Sequence, residues 1–452
     1  MGTGRKITLS FWLVIALLTG SARAATLKAG VAKVDITPPP GLTLWGFENR
    51  KAPATKAHDP LYARVLVLEA GDSRLALVAL DLGRPFGPGS LKTLRDSVQK
   101  RSGISNVLVV ASHTHSAPVI ADFYALGPPP WEAATLDKIA GAVEEASRHL
   151  VEARLGTGYG DTYIGHNRLR HNPDGSVSWF ERDTTRIPTA PIDPTVSVLR
   201  VDMADGKPMA ILVNYACHPV VFGSDNLEYS ADFPGVMTKT VESAFGGQPL
   251  CIFLQGAPGD INPYYAVTKL DEGAAQWCEW TGQHLGEEAA RVAREIHTEA
   301  SPSPSIDYSE ESLPFRLRWN LDQFRERVMR ALGPVGYQEY ASGLAPQFQL
   351  PVATVLINRR IAFMTMPGEP FVNFQVNWRD RCPVEDAFFL GYANGYFGYF
   401  PTIRASTEGG YGAASSSTWI EPGAGERMVD HAVVKVYQML GRYSDLPEDM
   451  RH

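Results

Sequence analysis

Apolar residues occur along this chain in two kinds of runs, and their spacing predicts the secondary structure. Short runs rich in valine, isoleucine and leucine, bounded by glycine, proline or aspartate, are typical of buried strands. Longer runs in which apolar residues recur every three or four positions are typical of amphipathic helices. Both kinds alternate through the 452 residues. This mixture predicts an α/β fold.

Three hairpins account for most of the predicted strands. Each joins two apolar runs through a short polar turn, of which Gly71-Asp72 and Asp205-Gly206 are examples. The predicted strand segments are 29–42, 62–70, 74–83, 106–113, 195–202, 209–218, 249–260 and 354–369. The predicted helices are 133–152, 274–300 and 427–440. We therefore expect one large domain over residues 25–452, with mixed β-sheets flanked by helices.

The N-terminus has the pattern of a secretory signal peptide over residues 1–24. Arg5 and Lys6 precede a short apolar run, and Ala22-Arg23-Ala24 is a small-x-small cleavage signal. The run is shorter than a typical membrane span, although an uncleaved anchor is the alternative interpretation. We expect a secreted or periplasmic protein with no stable membrane span after cleavage.

Composition narrows the possible partners. The net charge is −7, so the chain has no overall positive charge for binding nucleic acid or an anionic membrane. The four cysteines match no zinc-ribbon or CxxC pattern, and they leave one disulfide or buried free thiols open. Composition does not indicate an oligomeric state.

Several predicted strands run directly into polar loops, and the first of these carries two histidines. His113 and His115 in "SHTHSAP" are alternate residues, so in an extended segment their side chains point to the same side. A single histidine is more often structural. Two adjacent imidazoles are useful mainly for metal binding or proton transfer.

Two further strands end in candidate ligands. His218 precedes Pro219 after one apolar strand, and Glu369 lies between prolines in "PGEP" after another. Glu369 alone is typical of an exposed turn. Two histidines and a carboxylate at strand ends, however, form a common catalytic zinc set that leaves a position for water.

The motifs "SHTHSAP", "QGAPGDINP", "MPGEPF" and "GYANGYFGYFPT…EGGYGAA" resemble the neutral (non-lysosomal) ceramidase family. The opening segments "AGVAKVDITPP" and "HDPLYARVLVLE" add to this resemblance, which extends over residues 28–420. The family consists of zinc amidases that cleave the N-acyl bond of ceramide, so the resemblance implies a small-molecule or lipid-like substrate.

The resemblance implies a zinc ion (Zn²⁺) held at the strand ends by His113, His218, Glu369 and Tyr399. It assigns proton transfer to His115. These roles are expectations that follow from the family motifs.

The same resemblance implies roles for three residues outside the ligand set. Tyr411 would stabilise the oxyanion, and Arg168 and Asn262 would bind polar groups of the substrate. Asp260 is expected to organise its loop. Without the resemblance, Tyr399 and Tyr411 would be interpreted as core or rim packing.

Two departures from the family pattern affect the expected substrate. Asn262 stands where the family has a serine; an amide cannot act as a hydroxyl nucleophile, so a serine mechanism at this position is excluded. The family also continues into an immunoglobulin-like C-terminal domain, which we do not expect here.

The sequence therefore predicts an exported zinc hydrolase that cleaves an N-acyl amide, ceramide-like or of another lipid, with metal-activated water. The first alternative is the same zinc site acting on an ester or a sugar-linked bond. The second is a non-catalytic binding protein stabilised by metal. Structural zinc sites normally use four Cys or His ligands, which argues against the second alternative.

Overall fold

The computed structural model describes residues 1–2, 26–50, 52–124, 126–341, 343–443 and 446–450. The predicted signal peptide, beyond its first two residues, lies outside the described residues.

The described residues form twenty strands and eight α-helices, with two short 3₁₀ turns at Leu270–Glu272 and Glu448–Met450. The strands are β1 Leu27–Asp35, β2 Lys56–Ala57, β3 Tyr62–Ala70, β4 Ser73–Leu80, β5 Asn106–Ala111, β6 Val151–Asp161, β7 Gly165–Asn167, β8 Leu169–His171, β9 Val177–Trp179, β10 Thr195–Met203, β11 Pro208–Tyr215, β12 Glu228–Tyr229, β13 Leu250–Gln255, β14 Ile261–Pro263, β15 Ile306–Arg316, β16 Gln347–Ile357, β17 Ile361–Thr365, β18 Glu369–Pro370, β19 Asp386–Leu390 and β20 Tyr399–Phe400. The helices are α1 Pro88–Ser102, α2 Pro130–Arg148, α3 Phe233–Ala244, α4 Ala274–Glu295, α5 Leu321–Ala341, α6 Val372–Arg381, α7 Ile403–Glu408 and α8 Ala424–Met439.

Two large sheets organise these elements. One has eight strands in the order β13-β11-β10-β6-β1-β3-β4-β5, and the other has four in the order β15-β16-β17-β19. The pairs β4/β5, β11/β13 and β17/β19 are parallel, and the other pairs within these sheets are antiparallel. The predicted α/β fold with mixed sheets and flanking helices is confirmed.

The two sheets pack against each other, and helices cover their outer faces. On β3, Val65 and Val67 lie in one apolar cluster with α1 and α2. Leu66 and Leu68 point the other way, into a cluster shared with the four-stranded sheet. Helices α3 and α4 cover the other half of the large sheet, while α5, α6 and α8 cover the small one. The arrangement is helices, sheet, sheet, helices.

The eight-stranded sheet curls so that its two edge strands meet. Gln255, the last residue of β13, donates from Nε2 to the Ser112 carbonyl just after β5, at 2.8 Å. The segment after β19 also joins this corner, because the Ala111 amide donates to the Tyr392 carbonyl at 3.1 Å. The loops that follow β5, β13 and β19 are therefore brought together.

The three predicted hairpins are confirmed as β3/β4, β10/β11 and β16/β17. Helices α2, α4 and α8 correspond to the predicted helices, with ends displaced by several residues. Helices α1, α3, α5, α6 and α7 were not predicted. Few of the α1 side chains are buried, and Gly333-Pro334 interrupts the sequence pattern of α5.

The four cysteines are free thiols; Cys217, Cys251 and Cys278 are buried, and Cys382 is half-buried. This agrees with the free-thiol alternative. In the part of the chain that the structure covers, no helix has the length and apolar character needed to cross a bilayer.

Candidate metal centre

His113 and His115 lie in the loop after β5, with their Nε2 atoms 3.2 Å apart. The prediction that their side chains lie together is confirmed, but the reason given for it was wrong. His113 has φ = 71°, so the segment is left-handed at this residue and not extended. A backbone bond from the His113 amide to the Leu82 carbonyl, at 2.9 Å, supports this conformation, which is costly for a residue other than glycine.

His218 and Glu369 reach the same point from two other strand ends. His218 follows β11, and its Nε2 lies 3.1 Å from Glu369 Oε2. Glu369 begins β18, and its Oε2 lies 3.5 Å from His113 Nε2. All three side chains are buried. The structure thus brings together residues separated by more than 250 positions in the sequence.

Backbone carbonyls fix the orientation of two of the three imidazoles. His113 Nδ1 lies 2.6 Å from the Gly83 carbonyl, and His218 Nδ1 lies 3.0 Å from the Ile261 carbonyl. A carbonyl only accepts, so each Nδ1 carries the hydrogen and each Nε2 keeps its lone pair. His115 differs, because its Nδ1 is buried without a hydrogen-bond partner among the described residues.

The surroundings favour neutral imidazoles beside an ionised carboxylate. Burial, together with the Arg168 charge, lowers the pKa of His218 to about 4. Burial and the neighbouring rings of His113 and His218 lower the pKa of His115 well below its usual value. Burial acts to raise the pKa of Glu369, but its contacts with His113 and His218 hold that pKa well below its usual range. Neutral imidazoles and a carboxylate are the forms that bind metal ions.

Two tyrosines that the sequence analysis missed hold Glu369. Tyr396 donates its hydroxyl to Glu369 Oε1 at 2.5 Å, and Tyr392 donates to Oε2 at 3.1 Å. The Tyr392 ring also stacks on His113, with centroids 4.0 Å apart. Both residues lie in "GYANGYFGYF", from which only Tyr399 had been selected. The repetition of tyrosine in that motif was the available signal.

Tyr399 and Tyr411 lie beside this cluster and are linked through Arg168. The Arg168 Nη2 donates to the Tyr399 hydroxyl at 2.8 Å and to the Gly259 carbonyl at 2.6 Å. The guanidinium lies 5.3 Å from the ring centre of Tyr411 and 4.6 Å from that of Trp179. Arg168 is 4% exposed, so these aromatic rings largely cover it.

Both polar atoms of the Asn262 side chain form hydrogen bonds within the protein. Its Oδ1 accepts from Arg168 Nη1 at 3.2 Å, and its Nδ2 donates to the Glu181 carbonyl at 3.1 Å. The side chain is 1% exposed. Its position fixes the Arg168 guanidinium relative to the rest of the cluster.

The loop after β13 locks the segment that carries Glu369. The Gly259 amide donates to the Pro370 carbonyl at 2.7 Å, and Asp260 Oδ1 accepts from the Val372 amide at 2.8 Å. A side chain at Gly259 would collide with the Glu369 and Pro370 carbonyls, 2.5 and 2.7 Å from its Cβ. The "GAPGD" and "MPGEPF" motifs thus form one interlocked structure, and Asp260 organises its loop as expected.

A cavity of about 500 Å³ opens onto the cluster. It is lined by His113, His115, Glu369, Tyr396, Tyr399 and Tyr411 at its base, and by residues 45–49, 416–417 and 419 and helix α5 around its walls. Three residues of the site lie behind the cavity surface and do not line it: Arg168, Asn262 and His218.

Gly46 presses directly against His115. It has φ = 101°, and a Cβ at this position would lie 2.3 Å from the His115 ring. Phe47 meets the same ring edge-on, with centroids 4.9 Å apart. Arg50 Nη1 donates to the His115 carbonyl at 2.7 Å. The segment from Gly46 to Arg50 therefore sets the position of His115, although no prediction included it.

Three histidines, one glutamate and nearby tyrosines, gathered where strands of two packed sheets end, define a candidate metal centre. Residues 27–300 match the family model described as neutral/alkaline non-lysosomal ceramidase, N-terminal. The chain belongs to this family.

Curated relatives share part of this chain. The neutral ceramidase of Pseudomonas aeruginosa is 29% identical over 270 residues, covering 55% of this chain and 39% of the relative. That of Drosophila melanogaster is 25% identical over 287 residues, covering 57% of this chain and 39% of the relative. The matched part of the chain thus spans about two fifths of the length of these relatives.

Solved structures share the fold over a longer range. The crystal structure of the Pseudomonas aeruginosa neutral ceramidase aligns with a TM-score of 0.71 at 20% identity, covering 92% of this chain and 75% of that one. A ceramidase complexed with C2 aligns with a TM-score of 0.73 at 19% identity, covering 95% and 78%. At this identity the likeness establishes the fold alone.

Proposed function

We propose that this protein is an exported zinc-dependent hydrolase that cleaves the N-acyl amide bond of a lipid-like substrate. One observation carries the proposal: the Nε2 lone pairs of His113 and His218 face the Glu369 carboxylate, and His113 and Glu369 line the base of a cavity. Carbonyl partners on both Nδ1 atoms pre-set the imidazoles for metal binding. Membership of the ceramidase family supports the amide as the bond that is cleaved.

The donor atoms fit zinc, which is bound in proteins by imidazole nitrogen and carboxylate oxygen. We assign the ligands as His113, His218, Glu369 and Tyr399; the last lines the same cavity. When bound, zinc lowers the pKa of water and polarises a carbonyl group. Tyr392 and Tyr396 would keep the Glu369 carboxylate in place through their hydroxyl groups.

His115 is the proton carrier in this proposal. It lines the cavity, and no carbonyl fixes its Nδ1, so it is less suited than His113 or His218 to act as a fixed ligand. We assign to its Nε2 the removal of a proton from the attacking water. The same proton is then delivered to the nitrogen of the leaving amine.

Tyr411 and Arg168 complete the proposed machinery. Tyr411 lines the cavity and is 43% exposed, so its hydroxyl can donate to the oxygen that becomes negative. The buried Arg168 donates to the Tyr399 hydroxyl from behind the cavity surface, so we assign to it the positioning of that tyrosine. Asn262 contributes by holding Arg168.

The test is an assay of the purified full chain against N-acyl amides, including ceramide, and against esters and sugar-linked amides of the same acyl groups. We expect amide hydrolysis, about one zinc per chain and loss of activity on chelation, restored by added zinc. His113→Ala should lose zinc, whereas the matched surface variant His149→Ala should not. Faster cleavage of esters or sugar-linked bonds would assign the site to those substrates, and full activity without metal would refute the zinc mechanism.

Export is tested separately by N-terminal sequencing of the protein recovered outside the cytoplasm. We expect the mature chain to begin at Ala25. If the exported protein is attached to the membrane and still carries residues 1–24, that segment is an anchor.

A further inference from the structure

Helix α5 forms one wall of the cavity above the candidate metal centre. Val328 and Ala331 are three positions apart and therefore lie on one face of the helix, and both line the cavity. Ala341, at the end of the helix, lines it too. Trp45, Phe47 and Trp419 supply further apolar surface. These side chains give the cavity apolar surface above the histidines and Glu369, beside polar wall residues that include Arg327.

The attachment of α5 is confined to a few side chains. Phe324, Val328 and Ala341 are buried, whereas most other described side chains of the helix are at least partly exposed. Gly333, with φ = 69° and ψ = 178°, breaks the helix next to Pro334. The helix also borders a second groove of about 780 Å³, which we name the outer groove. Arg327 and Ala331 line both, whereas Gln323 lines only the outer groove.

We infer that α5 is the element that sets which acyl chain the enzyme accepts, and that Val328 and Ala331 contact that chain. This inference rests on the proposed function and names the side chains that would contact the acyl chain of the substrate. Burial of each methylene group strengthens binding about fourfold, so a wall of this kind discriminates by chain length. Ala331 and Ala341 have the smallest side chains of this wall, and Ala331 is the one of the two that is exposed.

The experiment uses the full-length enzyme with Ala331→Trp, and with Gln323→Trp as the matched control on the outer groove. Ala331 and Gln323 are exposed residues of one helix, so both variants place the same large side chain on the surface of α5. The substrates are 4-nitroanilides of butanoic, octanoic and dodecanoic acid. If circular dichroism shows that the tryptophan variant does not fold, Ala331→Leu provides a smaller increase in side-chain volume at the same position.

We expect Ala331→Trp to lower kcat/KM for the dodecanoyl substrate about tenfold or more and to change it less than about twofold for the butanoyl substrate. Gln323→Trp should change neither. An equal loss at all chain lengths, or an equal effect of Gln323→Trp, would overturn the inference.

Calorimetric titration of dodecanoate and butanoate separates this inference from the proposed function. Weaker dodecanoate binding by Ala331→Trp alone supports a role of α5 even if no amide is hydrolysed. Unchanged dodecanoate binding in that variant refutes it. Absence of hydrolysis by the unmodified enzyme counts only against the proposed function.

Discussion

The Nε2 atoms of His113 and His115 lie 3.2 Å apart, yet the two rings are held differently. A carbonyl fixes the Nδ1 of His113, whereas the Nδ1 of His115 has no partner in the described part of the chain. Neighbouring histidines can thus serve as a fixed ligand and as a group that gains and loses a proton.

Replacing these histidines one at a time should separate metal binding from catalysis. We expect His113→Ala to lose zinc and activity together. His115→Ala should keep zinc and lose roughly 10²–10⁴ in rate, the range for general acid–base groups. Zinc per chain and kcat, measured on the same preparations, test the assignment. Equal loss of zinc in both variants would show that His115 is a ligand.

Tyr396→Phe should weaken metal binding without removing a ligand. The hydroxyl of Tyr396 donates to Glu369 Oε1 at 2.5 Å, and loss of such an outer contact typically costs about 10–100-fold in metal affinity. Competition with a chromogenic chelator measures the affinity. Tyr437→Phe, at a partly exposed position of α8, is the control. Identical affinities would mean that Glu369 is held by other contacts.

Gly46→Ala should displace His115. The new Cβ would lie 2.3 Å from the His115 ring, and the φ of 101° is unfavourable for alanine. We expect kcat to fall about tenfold or more through misplacement, with zinc retained. Gly89→Ala is the matched control, since no atom lies within 4 Å of a Cβ there. Normal kcat in Gly46→Ala would show that His115 tolerates the shift.

Asn262→Ser introduces the residue expected from the family, and Asn262→Ala removes the polar group. A serine hydroxyl is too short to bridge Arg168 Nη1 and the Glu181 carbonyl, which lie 3.2 and 3.1 Å from the amide atoms. We expect altered preference among amide substrates with unchanged zinc content, and poor ceramide cleavage by the unmodified protein. Efficient ceramide cleavage by the unmodified protein, together with identical kinetics for Asn262→Ala, would show that this position does not determine substrate specificity.

Asp232 should make the folded state less stable as the pH rises. Burial raises its pKa from 3.8 to about 7, although the Phe233 and Phe222 amides donate to its two oxygens. Between these values the folded state holds a proton that the unfolded state has released. The stabilisation is therefore complete below pH 4 and is lost as the pH rises towards 7.

Urea unfolding of the unmodified protein and Asp232→Asn, at pH 5 and pH 8, tests this expectation. The free energy of unfolding should fall more with pH in the unmodified protein, by about 1.4 kcal/mol for each unit of pKa shift in that window. Parallel pH dependence in the two proteins would contradict it.

The strands of the three hairpins were predictable because their apolar runs are short, continuous and separated by turn residues, as in β3 and β4, whereas β6 and β15 were not predicted. Helix α5 was not predictable, since it buries few residues and contains Gly333-Pro334, which sequence patterns associate with helix ends. The four cluster residues could be selected from their strand ends and family motifs. Their mutual distances depend on the curl of the large sheet, which periodicity does not encode.

Other features of the site depend on tertiary contacts alone. The left-handed backbone at His113 is supported by the Leu82 carbonyl, from a neighbouring loop. The role of Tyr392 and Tyr396 in holding Glu369 depends on the position of its carboxylate within hydrogen-bonding distance of their hydroxyls. The role of Gly46 is visible only once His115 lies against it.

The curl that joins β5 to β13 and to the segment after β19 also has a consequence for the order of folding. Residues 27–300 contain the three histidines. Glu369 and Tyr399 lie later in the chain, in the short strands β18 and β20 that follow β17 and β19 of the four-stranded sheet. Contacts across such long stretches form slowly, because loop-closure entropy must be overcome first. The metal centre is therefore complete only after the two sheets dock. A ligand that binds only this final state stabilises it by mass action. The rate at which the protein takes up zinc during refolding would therefore report the rate at which the two sheets dock.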